Sequence, residues 1–307
     1  MHVETPLIES MSLSASAGAQ IFLKLDAVQP TGSFKARGVG YACVEHRKRG
    51  AQRFISSSGG NAGLAVAYSG RRLGVPVTVV VPKTTTQRAK RLIELEQAEV
   101  IVHGESWHEA NAMALTLLDA SSAFIHPFDD PLLWTGHATL VDELARQTEP
   151  PDAIVLSVGG GGLLCGVGEG LKRNGWNEVA IVAVETLGAD SYAQALAAGK
   201  PVLLPAITSI ASSLGARQVC QQAVDLAREF QIESVVVSDA QAVAGCMTLL
   251  DEHRILAEPA CGASLAALTQ KTSVLARAKR VVVVVCGGVG VNQRQLLDWD
   301  AAFRLKT

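Results

Sequence analysis

A lysine in the run "TGSFKAR", residues 31 to 37, is the first group whose setting suggests chemistry. Lys35 follows a Thr-Gly-Ser turn and the bulky Phe34, with little charge close by. Most lysines are solvated charges on flexible stems, and this stretch by itself does not separate a reactive amine from a surface one. Three further segments could meet it. "SSSGGNAG" places Ser58, Gly59 and Asn61 together, "SVGGGGLL" places Gly159, Gly160, Gly161 and Gly162 before Leu163, and "VVCGGVG" closes a run of valines on Cys286. Glycine amides before a helix can face an anion with no Cβ in the way, whereas a linker reading suits poly-glycine only between independent bodies. A phosphate cradle is therefore the better reading of the four glycines. They give no complete GxGxxG and no GxxxxGK[ST], so neither a dinucleotide fingerprint nor a P-loop is supported. The serines and Asn61 fit equally a helix N-cap or a seat for a carboxylate. Cys286 reads as core filler, and Glu185, at the end of "AIVAVE", as a solvated carboxylate. His126, His137 and His253 show no spacing that separates a role from packing.

The elements that must carry these groups are legible as alternation. "RFISSS" leads into "NAGLAVAYSGRRLG", "VPVTVVVP" into "TTTQRAKRLIELEQ", "AEVIVHG" into "WHEANAMALTLLDA", and "AFIHPF" into "LLWTGHATLVDELARQ". After Pro150-Pro151 the pattern resumes with "AIVLSVGGGG", "AIVAVET" and "VVVVVCGG", each followed by a helical stretch. Strands apolar on both faces belong in parallel sheets covered by helices, which predicts a doubly wound α/β protein. In such sheets ligands bind where strands end and helices begin, and three of the four segments are junctions of that kind.

Composition narrows the classes. The 307 residues are 48% hydrophobic and 18% charged, with a net charge of −2. That describes a packed enzyme with no basic face for nucleic acid or anionic lipid. The uncharged stretch Ala153 to Gly168 is shorter than the ~20 residues a bilayer requires and is broken by glycines. The N-terminal "MHVETPLIES" predicts no secretory leader. Six scattered cysteines without a CxxC pair predict reduced thiols and a cytoplasmic location. No HExxH or HxH pattern suggests zinc.

Taken together, "QPTGSFKARG", "SSGGNAG", "PFDDPLLWTGHA", "LSVGGGGLLCGV", "EPACGA" and "VVVVVCGG", in that order, resemble the serine/threonine dehydratases among the fold-type II pyridoxal-phosphate (PLP) enzymes. The resemblance runs from Pro6 to about Gln295, nearly the whole chain. It implies two open, doubly wound sheets of the tryptophan synthase β type. A large PLP domain would comprise residues 1–40 and 136–307, with a smaller mobile domain, 41–135, inserted in it. It further implies that Lys35 holds PLP as a Schiff base, with Phe34 beside the ring and Asn61 on the ring's 3′-oxygen. Gly159, Gly160, Gly161, Gly162 and Leu163 would bind the phosphate through their amides, and Cys286 would face the pyridine nitrogen. Ser58, Gly59 and Asn61 match the substrate-carboxylate loop. Gly159, Glu185, Ala189, Leu214 and Ala216 match a monovalent-cation site, for an ion such as K+.

The implied reaction is β-elimination of L-serine to pyruvate and ammonia, and of L-threonine to 2-oxobutyrate, by a homodimer. A thiol cannot hold a pyridinium charge as a carboxylate would, which favours prompt elimination over transamination. The alternatives are another activity of the same fold type (threonine dehydration as the main role, racemisation or β-replacement), a nicotinamide-dependent oxidoreductase, and an inactive PLP binder. Two departures stand out. Gly59 replaces the Ala of many liver-type relatives, predicting a looser pocket, and "GGVGVN" places Val289 where "GGSN" or "GGNN" is common. Only a short stretch follows "VVVVVCGG", which predicts no regulatory domain.

Overall fold

The computed structural model describes residues 1–270 and 272–305. Its strands are β1 (Leu7–Glu9), β2 (Gln20–Lys24), β3 (Arg53–Ser56), β4 (Val77–Val81), β5 (Glu99–Val102), β6 (Ser122–Phe124), β7 (Ala153–Ser157), β8 (Ala180–Thr186), β9 (Ile232–Val237) and β10 (Arg280–Val284). The helices of the first half are α1 (Met11–Ala17), α2 (Lys35–Lys48), α3 (Asn61–Leu73), α4 (Gln87–Leu95), α5 (Trp107–Thr116) and α6 (Pro131–Gln147). Those of the second half are α7 (Gly162–Arg173), α8 (Ser191–Ala198), α9 (Gln221–Asp225), α10 (Asp239–His253), α11 (Pro259–Ala266) and α12 (Gln293–Arg304).

The strands form two sheets, one in the order β1-β2-β10-β7-β8-β9 and one in the order β5-β4-β3-β6. All pairings are parallel except the edge pair β1–β2. Parallel strands need helical crossovers, and every residue of β4, β7 and β8 is buried beneath them. The larger core gathers around β7, β8 and β10, and a second core fills the smaller sheet. All four strands of the smaller sheet lie between residues 53 and 124. Helix α2 packs on both α6 and α3 and so touches both bodies. It approaches α6 closely because Gly38 and Gly136 face each other across the contact.

Local signals explain where the helices begin. Asp130 accepts the Leu132 N–H at 2.8 Å with Pro131 in the first turn of α6, and Ser106/Glu109 and Ser238/Gln241 close capping boxes on α5 and α10. In both sheets the chain order reverses in mid-sheet. In the small sheet the reversal lies beside β3, whose loop carries Ser58, Gly59 and Asn61. In the large sheet it lies between β7 and β10, whose loops carry the four glycines and Cys286. Crevices at such reversals are the usual ligand sites of open α/β sheets.

Candidate active site

Lys35 is the first residue of α2, and the turn before it is strapped to the end of β10. The Phe34 N–H donates to the Cys286 carbonyl at 2.8 Å, the Gly288 N–H donates to the Gly32 carbonyl at 3.0 Å, and Ser33 pairs with Gly287. The lysine and the cysteine, far apart in sequence, are thus fixed to one another through the backbone. The Lys35 Nζ donates to the Pro127 carbonyl at 2.5 Å and lies 4.9 Å from the Phe34 ring centroid. Burial pulls its amine down to about 8, against the opposing influence of Cys286 and Glu258, so a neutral nucleophile is accessible near neutral pH.

The glycine loop sits at the head of α7. Gly161 has φ +92°, a left-handed conformation that favours glycine, and caps the helix without a side-chain hydrogen bond. A Cβ on Gly160 would run into the Phe128 ring, and one on Gly162 would stand 2.8 Å from the Phe128 carbonyl oxygen. The first turn of a helix leaves N–H groups without carbonyl partners, and here no side chain takes their place. That arrangement suits the phosphate of PLP.

Cys286 is buried, with its Sγ 3.4 Å from Ser157 Oγ and 3.5 Å from Cys261 Sγ. Asn61 opens α3, whose N-cap, Gly60, makes no side-chain capping bond. The N-cap reading of "SSSGGNAG" is therefore corrected. Ser58 only accepts the Gly60 N–H at 3.3 Å, and the Asn61 Nδ2 donates instead to Glu258 Oε1 at 2.9 Å.

Glu258 is the functional group that sequence reasoning passed over, although it opens the quoted "EPACGA". It is buried, which raises its pKa, while hydrogen bonds from Ser213, Asn61 and the Gly290 backbone oppose the rise. It joins the loop of the small sheet to the loop after β10. The motif itself was the available signal.

One further expectation changes. The space a Cβ on Gly59 would need is held by Thr85, whose Oγ1 would be 2.6 Å away, so the missing methyl leaves no void. Val289 packs against the core of the small sheet, its Cβ would be 2.7 Å from a Cβ on Gly32, and its carbonyl accepts from Arg88 at the start of α4. His137, read as structural, is fully buried with its ring 4.8 Å from that of Phe34 and its Nδ1 accepting the Gly38 N–H at 3.2 Å. His126 accepts the Asp129 N–H at 2.7 Å, and His253 hydrogen-bonds Ser10 Oγ at 2.9 Å.

Glu185 is not a solvated carboxylate. It is fully buried, accepts the Tyr192 and Ala193 N–H groups at 2.7 Å each, and burial pushes its carboxyl up to about 8. Gly159 and Leu214 are adjacent, since a Cβ on Gly159 would lie 3.1 Å from Leu214 Cα. Ala189 turns back onto Thr186 after β8, and the Ala216 N–H donates to the Leu214 carbonyl.

A family model described as "Pyridoxal-phosphate dependent enzyme" matches residues 2–287. The chain belongs to that family. A mouse (Mus musculus) protein named "Serine dehydratase-like" is 49% identical, over 97% of this chain and 93% of its own length. The bovine (Bos taurus) "L-serine dehydratase/L-threonine deaminase" is 46% identical, over 97% and 94%. Among solved structures, a fungal L-serine ammonia-lyase from Rhizomucor miehei superposes with a TM-score of 0.92 at 33% identity, covering 98% of each chain. The two-sheet α/β fold and the PLP dependence of the family agree with the expectation drawn from the motifs. Among the described residues, no helix is long and apolar enough to cross a membrane.

Proposed function

We propose that the protein is a PLP-dependent lyase that eliminates water from L-serine, giving pyruvate and ammonia, and acts likewise on L-threonine. The observation that carries this reading is Lys35, an amine lowered to about 8 by burial, next to the Phe34 N–H that bonds the Cys286 carbonyl and with its Nζ on Pro127, beside the Phe128 that packs on the glycine loop. Lys35 would hold the cofactor covalently, the amides of Gly159 to Leu163 its phosphate, Phe34 and Asn61 its ring, and Cys286 its pyridine nitrogen. When bound, PLP supplies the electron sink for the charge left at the substrate Cα. Ser58, Gly59 and Asn61 orient the substrate carboxylate at the head of α3. Displaced from the cofactor by the substrate amine, the neutral Lys35 Nζ would take the Cα proton as general base, and the β-hydroxyl would depart as water, that proton making up its second hydrogen. The released aminoacrylate hydrolyses to the keto acid.

The Cys286 thiol, whose side-chain partners among the described residues are the neutral Ser157 and Cys261, would give no fixed anion at the ring nitrogen, which favours elimination over transamination. The segment 41–135 is assigned as the mobile body closing over the substrate, and Arg88, reaching the Val289 carbonyl, bridges the two bodies. Glu185, with Gly159, Ala189, Leu214 and Ala216, is assigned to a monovalent cation, which would offset the cost of burying that carboxylate. The protein is assigned as a cytoplasmic homodimer.

Keto acid formation from L-serine and L-threonine tests the reaction and ranks the substrates. Neither pyruvate nor 2-oxobutyrate from a PLP-loaded preparation would move the assignment to racemisation or β-replacement. One methyl group is worth only about 1–3 kcal/mol of discrimination, so both substrates are expected to react.

A further inference from the structure

All six cysteines are free and buried, and four of them form two close pairs. Cys261 and Cys286 stand 3.5 Å apart, and Cys165 and Cys220 stand 3.6 Å apart, measured between sulfurs. The first pair is held to the backbone, because Cys261 Sγ donates to the Gly287 carbonyl at 2.9 Å and accepts its N–H at 3.1 Å. Burial and the neighbouring Cys286 keep the Cys261 thiol well above its ordinary range. The second pair is differently poised. Either sulfur can donate across that contact; with the proton on Cys165, the shared hydrogen bond raises Cys165 and lowers Cys220, the Ala223 N–H adding to the lowering and burial opposing it. A thiolate rather than a thiol is the nucleophile in oxidation, so Cys220 is the attacking sulfur.

The second pair also lies against the back of the glycine loop. Cys165 is in the first turn of α7, and its N–H donates to the Gly161 carbonyl at 2.9 Å. Cys220 directly precedes α9, and its N–H donates to the Gly160 carbonyl at 3.1 Å. Its Sγ would stand 3.0 Å from a Cβ on Gly161. Both cysteines are therefore tied by their own amides to consecutive residues of the loop.

We propose that Cys165 and Cys220 form a dithiol–disulfide switch, closed by a peroxide, that distorts the Gly159–Gly162 loop and releases the cofactor. The inference rests on that loop being the phosphate seat. The Cys220 thiolate attacks one peroxide oxygen, the O–O bond breaks, and the leaving hydroxide takes up a proton as water. The Cys165 sulfur, giving up its proton, then attacks the sulfenic sulfur, and the S–O bond breaks to release a second water. The two sulfurs together lose two electrons and the peroxide gains them. A small dithiol reverses the change by exchange. Bonding brings the sulfurs from 3.6 Å to about 2.05 Å. Cys165 is fixed within α7, so the Cys220 backbone must move, and its hydrogen bond to Gly160 carries the movement into the loop.

The test uses the PLP-loaded protein treated with hydrogen peroxide. It is followed by peptide mapping without reduction and, separately, by the rate at which PLP appears in the filtrate. The expected result is a cross-linked peptide pair containing Cys165 and Cys220, and cofactor release faster by about tenfold or more, equivalent to at least ~1.4 kcal/mol. Both changes reverse with dithiothreitol and both are absent in Cys220→Ala. Absence of the cross-link, or a cross-link with unchanged release, overturns the proposal. The phosphate seat is tested apart from it by Gly160→Ala under reducing conditions, where the added methyl meets the Phe128 ring. Retention of PLP by that variant as in the wild type would refute the seat itself. Weak retention there, with no cross-link in the oxidised wild type, would refute the switch alone.

Discussion

Replacing Arg37, two residues beyond Lys35, is expected to destabilise the protein more than any change at the cleft. Its guanidinium is fully buried and forks onto two carboxylates. Nε and Nη2 meet Asp26 at 2.7 and 2.8 Å, and Nη1 and Nη2 meet Glu143 at 2.6 and 2.7 Å. Lys24 adds a bond of 2.6 Å to Glu143, so two cations and two anions balance inside the fold. Arg37→Leu leaves both carboxylates facing one ammonium. Breaking a buried pair in this way costs about 3–5 kcal/mol, out of a typical total of about 5–15 kcal/mol. For a chain of this length that is a fall of about 5–8 °C in the thermal midpoint.

Urea unfolding followed by tryptophan fluorescence gives the free energies. Asp26→Asn together with Arg37→Leu should recover about 1–2 kcal/mol relative to Arg37→Leu alone, because one orphaned charge is removed with its partner. The pH dependence has a definite sign. Burial raises the Glu143 carboxyl, but Arg37 and Lys24 outweigh it and hold the group below its usual range. Wild-type stability from this group is therefore present above the ordinary carboxylate pKa and is lost as pH falls. In the variant, an uncompensated buried carboxylate can regain stability by taking up a proton, so the gap narrows towards acid. A loss under about 1 kcal/mol, or a gap that widens on acidification, would refute the reasoning.

Other outcomes follow from the same geometry. The rate at which the apo chain recombines with PLP should rise with pH and level off above about 8, where Lys35 is neutral; a rise continuing towards the ordinary lysine range would contradict its burial. Gly59→Ala and Thr85→Ala should be coupled in kcat/KM by about 0.5–3 kcal/mol, since the added methyl must displace the threonine; additive effects would mean the two do not share space. Exchanging potassium for tetramethylammonium should lower activity in the wild type and change little in Glu185→Gln, and equal sensitivity in both would remove Glu185 from the cation site.

The loops were legible because glycine, asparagine and serine at strand ends have few uses in a packed sheet. Gly159 to Gly162 and Cys286 follow β7 and β10, where the order of the large sheet reverses, and the turn before Lys35 is bonded to the end of β10. Buried charge was not legible. Glu185 reads as a solvated carboxylate, and nothing in the sequence marks Lys24, Arg37 or Glu143, whose partners arrive from far along the chain, as when Lys24 meets Glu143. Glu258 was visible in a motif but not in role, because its partner Asn61 belongs to the other sheet. The edge elements escaped for another reason. β1 is only three residues long, and β9 carries Glu233 and Ser234, so neither shows the apolar run that marks the central strands. The closeness of Cys165 to Cys220 likewise has no trace in their spacing.

The most direct test of the central assignment is pyruvate release from L-serine by the PLP-supplemented protein, measured beside Lys35→Ala. Pyruvate is expected from the wild type and none above background from the variant, with both folded to the same urea midpoint. Equal pyruvate from the two, or none from a wild type that carries its cofactor, would contradict the assignment.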